Sequence, residues 1–401
     1  MRRRPRVGLL IQSSTEYGRE LLRGVGQYIA EHGSWVVYHR AGPLMDRLPP
    51  DFHAWRPDAV LAQLESRTLI RQVRALALPT VDLFALHPSP GTPCVVPDHR
   101  AVARLVAEYF LERGYEQFAY CGFRGVYYSE IRRDRFVECL RERGYPTRVY
   151  EGRPLRRKRG VLATEAAGLM ETPQLGRWLR SLPKPLALMA ATDIRAHQVL
   201  SACGECGIVV PDEVAVAGVG NDQVIYRLCD PQLTSVDLNT EEIGYQAAAL
   251  LDRMMRGRRP PAGPIEVAPR GIVTRQSTHA VAAADPGVAA AMIFIRDHCG
   301  DPISVDDVVR RVALSRSTLQ RRFQRALGHT PQREIHLQQL HRIKGLLADT
   351  DLPLARVAEM AGFGHLETMC RLFKRHTGTT AGTYRNERRR RQFAARAPAR
   401  T

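Results

Sequence analysis

Residues 304–384 carry the same short pattern twice, and this repetition restricts the fold more than any other stretch. The first copy is Val305-Asp306-Asp307-Val308-Val309-Arg310-Arg311-Val312, a break at Ala313-Leu314, and a second segment running from Ser315 to Phe323. The second copy starts at Leu354-Ala355-Arg356-Val357-Ala358-Glu359-Met360-Ala361, breaks at Gly362 and resumes at His365. Leu319 and Phe323 lie four apart, as do Met369 and Phe373, so each second segment gains one apolar stripe when helical. The stripe anchors that helix. Its opposite face stays polar and basic, which is what a helix lying in a DNA major groove requires. Ser317, Gln320 and Arg321 are then placed to read base edges, since Arg suits guanine and Gln adenine. Arg316, Arg322 and Arg325 suit phosphates. In the second copy the outward positions include Glu367, Arg371 and Lys374; Arg371 is the clearest base reader there, so the first copy should dominate specificity. Residues 331–349 form a helix joining the two, with Ile335, Leu340, Ile343, Leu346 and Leu347 as its apolar stripe.

Charge agrees with that reading. Residues 285–401 hold 21 Lys and Arg against 11 Asp and Glu, so +10 of the chain's +18 falls there. Concentrated positive charge suits a polyanion, and nucleic acid is the usual one. The basic tail at 392–401 is expected to be flexible. A chain of 401 residues supports two or three cores. It contains no apolar run of membrane-spanning length, and residues 7–12 are too short for a signal core, so a cytoplasmic location and no membrane partner are expected. Among eight cysteines, only Cys203 and Cys206 make a Cys-x-x-Cys, with no second pair at zinc spacing. They read as ordinary helix positions, and no metal or cofactor is expected.

Upstream of residue 280, strands and helices alternate. Strands are expected at 6–12, 35–38, 58–63 and 80–83, with a helix at 16–33 and another ending at 77. The pattern then restarts with helices at 100–113, 132–144 and 194–206 and strands at 117–122, 186–190 and 214–219. A helix at 240–256 and one final strand at 265–274 follow. Such alternation implies parallel α/β layers, here in two successive lobes. The run 156–159 reads as a solvated basic loop and 278–285 as the linker.

The C-terminal pattern resembles the DNA-binding domain of AraC-type transcription regulators. The resemblance rests on Ser315, Leu319, Arg321-Arg322-Phe323, Gly328-His329-Thr330-Pro331, Gly362-Phe363, Phe373-Lys374, Gly378 and Tyr384-Arg385. Val308 and Met369 depart from the family's small and aromatic residues but stay apolar. The upstream part resembles the periplasmic-binding-protein-like sensor of LacI/GalR regulators. Val96-Pro97-Asp98, Ala191-Thr192-Asp193, Pro211-Asp212-Glu213, Gly218-Val219-Gly220-Asn221-Asp222 and Leu233-Thr234-Ser235-Val236 carry that match. The combination looks like the xylose-operon regulator family, whose pattern Tyr17-Gly18-Arg19, Tyr120-Cys121-Gly122-Phe123 and Arg275-Gln276-Ser277-Thr278 fit.

The resemblance implies an α/β two-lobed sensor with parallel sheets, followed by an all-α domain with two helix-turn-helix units. The sensor is expected at 1–280, with lobe 1 at about 6–98 plus 237–258 and lobe 2 at about 99–236 plus 262–277. The DNA-binding domain is expected at 285–391. It further implies a dimer that binds double-stranded operator DNA, meets RNA polymerase and answers to a small aldose, with xylose favoured. Strand ends are where ligands of open α/β sheets bind. Asp193, Asp222 and Asn221 there, with Arg132, Tyr128, Tyr17, Arg19 and Gln63, are the expected sugar contacts; Asp98 is expected to cap its helix. No catalytic residue is expected. Ser13-Ser14-Thr15 lacks a nucleophile-elbow context, and Gly24-Val25-Gly26 lies inside a helix rather than after a strand.

Overall fold

The computed structural model describes residues 3–386 except 34, 44–45, 87–90, 153–160 and 279–284. The basic run 156–159, most of the linker and the arginines at 389–391 with the tail lie outside the described residues. The chain divides into two compact units, 1–279 and 280–401.

The first unit begins with β1 (Arg6–Leu10), α1 (Glu16–His32), β2 (Val36–His39), β3 (Ala59–Ala62), α2 (Arg67–Ala75), β4 (Thr80–Asp82) and β5 (Val95–Pro97). It continues with α3 (His99–Leu111), β6 (Gln117–Cys121), α4 (Tyr127–Arg141), β7 (Thr147–Tyr150), α5 (Val161–Ala167), α6 (Thr172–Ser181) and β8 (Leu186–Ala190). The last elements are α7 (Asp193–Cys206), β9 (Val214–Val219), α8 (Ile225–Leu228), β10 (Thr234–Asp237), α9 (Thr240–Met255), β11 (Ile265–Val267) and β12 (Gly271–Val273). Lobe 1 holds a parallel sheet of order β2-β1-β3-β4. Lobe 2 holds a sheet of order β12-β10-β9-β8-β6-β7, parallel except for β12. The inner strands β3 and β8 are buried throughout, as sheets covered by helices on both faces demand. Thr15, Ser66, Asp98 and Thr192 each accept a backbone N–H at a helix start, so short polar residues set the entry of α1, α2, α3 and α7.

The final segment corrects the sequence reading. The expected single strand at 265–274 is two strands in different sheets. β11 pairs with β5, and Val267 joins the core of lobe 1, so 265–267 belongs there rather than to lobe 2. β12 pairs antiparallel with β10 in lobe 2. Pro269, which has no N–H, and Gly271 at φ 143° turn the chain between them. The chain thus passes between lobes three times, after β5, after β10 and after β11.

Arg275-Gln276-Ser277-Thr278 then moors the end of this unit to lobe 2. Arg275 Nη1 donates to the Leu233 carbonyl at 2.7 Å, and its guanidinium lies 3.8 Å from the Tyr226 ring centroid. Ser277 Oγ donates to the Val216 carbonyl at 2.6 Å, and the Thr278 hydroxyl meets those of Thr234 (2.8 Å) and Tyr109 (2.7 Å). Cys203 and Cys206 both lie on α7, with Cys203 filling the lobe 2 core.

The second unit contains α10 (Pro286–Asp297), α11 (Val305–Val312), α12 (Arg316–Leu327), α13 (Pro331–Asp349), α14 (Leu354–Met360) and α15 (Leu366–Thr377). Helices α12 and α15 repeat at an offset of fifty residues, pairing Leu319 with Met369, Phe323 with Phe373, and left-handed Gly328 with Gly378 at their C-termini. There are two cores. Val308, Leu319 and Phe323 pack with α10, which the sequence reading did not anticipate, while Met369 and Phe373 pack with Ile343 and Leu347 of α13. No helix among the described residues is long and apolar enough to cross a membrane.

Candidate ligand cavity and nucleic-acid interface

The two lobes of the first unit enclose a cavity of about 130 Å³ at the carboxyl ends of their strands. Lobe 1 supplies Gln12, Thr15, Glu16 and Tyr17 after β1, and Phe84 after β4. Lobe 2 supplies His99, Tyr128, Arg132, Glu165, Thr192, Asp193 and Asp222. Of the eight expected sugar contacts, Tyr17, Tyr128, Arg132, Asp193 and Asp222 line this space together.

Each is held by its element. Arg132 is 4 % exposed, and its Nη1 donates to the Ala191 carbonyl at 2.6 Å. Its Nε donates to His99 Nδ1 at 3.3 Å. That bond leaves the imidazole proton on Nε2, and burial, then Arg132, hold His99 well below its ordinary pKa, so the ring is neutral. The Tyr128 hydroxyl donates to Glu165 Oε1 at 2.6 Å. Burial pushes the Glu165 carboxyl up to about 7, against the opposing pull of Tyr128 and Arg132. Asp193 accepts from Ser235 Oγ at 2.5 Å and from the Asp222 backbone at 2.7 Å. Burial raises its pKa to about 6. A Cβ at residue 218 would lie 2.3 Å from Asp193 Oδ1, so Gly218 makes room for this carboxylate and is no part of a dinucleotide loop.

Three expected contacts do not line the cavity. Gln63 is fully buried, and its Oε1 accepts the Gln12 backbone N–H at 2.9 Å. Arg19 pairs with Glu16 at 2.8 Å and donates to the Ser13 carbonyl. Asn221 sits at φ 52°, with its Oδ1 taken by Arg275 at 2.7 Å, so it shapes the turn after β9. Asp98 caps α3 as expected, at 2.8 Å from the Ala101 N–H. The reading missed Gln12, Phe84, His99 and Glu165. Strand-end position signals the first two, and adjacency to Asp98 the third.

In the second unit, Ser317, Gln320, Arg321, Gln324 and Arg325 share one shallow concave face of α12. Arg316, also exposed, pairs with Asp306 at 3.1 Å. Arg322 is half-buried and pairs with Asp285 at 3.1 Å, while Asp285 also accepts the Gly287 N–H at the start of α10. Arg322 therefore ties α12 to α10 while its side chain stays 42 % exposed. On α15, Glu367, Thr368, Arg371 and Lys374 are exposed, whereas Leu366 and Cys370 pack partly into the core.

The periplasmic binding protein-like domain family matches residues 107–278, and the helix-turn-helix domain family matches 308–387. The chain is 29% identical to the xylose operon regulatory protein of Haemophilus influenzae, covering 95% of this chain and 98% of that one. It is equally 29% identical to the protein of that name from Escherichia coli K12, over 96% of this chain and 97% of that one. A solved structure of a xylose-binding transcription activator superposes with TM-score 0.76 at 28% identity, covering 96% and 98% of the two chains. Over nearly its whole length the chain is similar to xylose operon regulators, with a periplasmic binding protein-like part followed by a helix-turn-helix part. Within this xylose-operon-regulator-like protein, the sensor fold also matches a LacI-type regulator from Alkaliphilus metalliredigens, at TM-score 0.53 and 16% identity over 69% of this chain and 99% of that one. The regulator's two halves are therefore an α/β periplasmic-binding-protein-like unit and an AraC-type DNA-binding unit.

Proposed function

We propose that this regulator senses a neutral monosaccharide in the inter-lobe cavity, with xylose the favoured ligand, and acts at the operator of a carbohydrate-utilisation operon as an activator. The cavity carries this reading. It lies between the lobes at the strand ends, where ligands of open α/β sheets bind, and measures about 130 Å³. Its lining interleaves Arg132, Tyr128, Asp193 and Asp222 with Phe84 and Tyr17, combining charge-assisted hydrogen bonds for hydroxyls with rings for C–H faces. Glu16, Glu165, Asp193 and Asp222 outnumber the one guanidinium among the described lining residues, which disfavours sugar phosphates and uronates. Full-length likeness to xylose operon regulators supports the choice of xylose. The protein works as a cytoplasmic homodimer that engages RNA polymerase, by binding and not by catalysis.

Thermal unfolding against a panel of pentoses and hexoses tests this. A sugar at a hundred times its Kd stabilises the native state by about 2.7 kcal/mol. One aldose should raise the transition, and Asp193→Asn and Asp222→Ala should abolish that rise. A shift with another sugar or polyol would keep the architecture and change the ligand. No shift would leave a dimeric DNA-binding protein without a sugar.

On the DNA side, Arg321→Ala should cost about 1–3 kcal/mol on the operator and relax base preference at one position. Arg322→Ala should leave base preference intact and lower the unfolding transition instead. Binding to half-sites randomised one base at a time separates them; unchanged preference in Arg321→Ala would remove that residue from the readout.

A further inference from the structure

We propose that Gln12 and Glu165, one from each lobe, accept hydrogen bonds from two hydroxyls of the bound sugar and so hold the lobes together across it. The inference rests on the sugar reading above.

Gln12 is 5 % exposed and lines the cavity, and its side-chain Oε1 has no hydrogen-bond partner among the described residues. Its backbone is held from both sides. The N–H is spent on Gln63 Oε1 at 2.9 Å, and α1 closes on its carbonyl so tightly that a Cβ at Gly18 would lie 1.8 Å from that oxygen. The carboxamide is thus pinned at the cavity wall as a buried polar group awaiting a partner. Buried amides are almost always satisfied in native structures, and an exception calls for a ligand or an ordered water.

Glu165 faces the cavity from lobe 2 on α5, and a chain of buried groups holds it there. Gln198 Nε2 donates to the Glu165 backbone carbonyl at 2.7 Å. Arg195, fully buried, donates to Gln198 Oε1 at 2.8 Å and pairs with Glu171 at 3.0 Å. A Cβ at Gly168 would lie 2.2 Å from Gln198 Oε1, so that glycine lets the segment seat on the network. A buried guanidinium whose two Nη groups bond within lobe 2 fixes where α5 presents its carboxylate. Arg195 and Gln198 are positioning residues; Glu165 is the contact.

Both proposed groups accept, so the sugar must donate at both places. A ligand with a deoxy carbon or methyl ether at either position should bind poorly, and an anion facing Glu165 should be repelled.

The test is calorimetric titration of the full-length chain with the aldose that stabilises it most and with its singly deoxygenated analogues. Gln12→Met and Glu165→Gln should each weaken binding at least about tenfold, the scale of one lost hydrogen bond to a buried group. Each variant should also become indifferent to the loss of one particular hydroxyl, a different one for each. Gln198→Ala should reproduce the Glu165→Gln deoxy-sugar pattern, a result that loss of packing alone does not give. The cooperative thermal transition of each sugar-free variant checks that its sensor is folded, and Glu165→Asp serves if Glu165→Gln is not. A parent that binds its aldose, beside variants within twofold of it and equally sensitive to every hydroxyl, would overturn the proposal. A parent that binds no sugar would overturn the sugar reading itself, and with it this inference.

Discussion

Arg132→Ala will lower the stability of the sugar-free protein by about 3–5 kcal/mol and abolish its response to sugar. The size follows from what the guanidinium leaves behind. The Ala191 carbonyl and His99 Nδ1 lose their donor, and the Glu165 carboxylate loses a compensating charge in a site where burial already opposes ionisation. Removing one member of a buried, hydrogen-bonded charge cluster costs this much because its partners stay buried. Arg132→Lys should recover part of the stability and none of the sugar affinity, since an ammonium cannot span two partners as a planar fork does. Thermal unfolding of both variants, with and without the sugar, measures it. A full sugar-induced shift in Arg132→Ala would remove this residue from the binding site.

Gly24 and Gly26, with one residue between them, should behave oppositely. Helices α1 and α9 cross at Gly24 and Gly244, where a Cβ would sit 1.8 Å from the Glu241 carbonyl and 2.2 Å from that of Leu21. Backbone cannot step aside as a side chain does, so Gly24→Ala should cost about 3 kcal/mol or more, the upper end for overpacking. Nothing lies within 4 Å of a Cβ at Gly26, on the exposed face of the same helix. Gly26→Ala should therefore gain about 0.5–1 kcal/mol from helix propensity. Denaturant midpoints at constant m-value report both; equal stability in the two variants would show that α1 and α9 are not packed in this way.

Much of this arrangement is legible in the amino-acid order, and the gaps have causes. Strands β8 and β9 are continuous apolar runs bounded by turn residues, and their predicted limits match the structure. Helix α4 starts five residues before its predicted start, because Val126 at its N-cap provides no capping side chain to mark it. Strand β7 escaped because Thr147–Tyr150 is an exposed edge with Val149 facing solvent, leaving no buried face to set a pattern. In the cavity, the strand-end rule found Asp193, Asp222 and Tyr17. It does not say which of two neighbouring strand ends faces the cleft, so Gln63 was chosen where Gln12 lines the space. Glu165 lies beyond such reasoning: a fully buried arginine on another helix fixes its position, and nothing near it in sequence shows that.

The mooring of residues 275–278 has one more consequence. It ties the end of the first unit to lobe 2, the lobe that also carries Arg132, Asp193 and Glu165. A molecule held by those three alone stays within one frame, whereas one that also reaches Gln12 and Tyr17 joins two. A sugar stripped of the hydroxyl that Gln12 wants should therefore lose part of its hold on lobe 1 while keeping all of its hold on lobe 2.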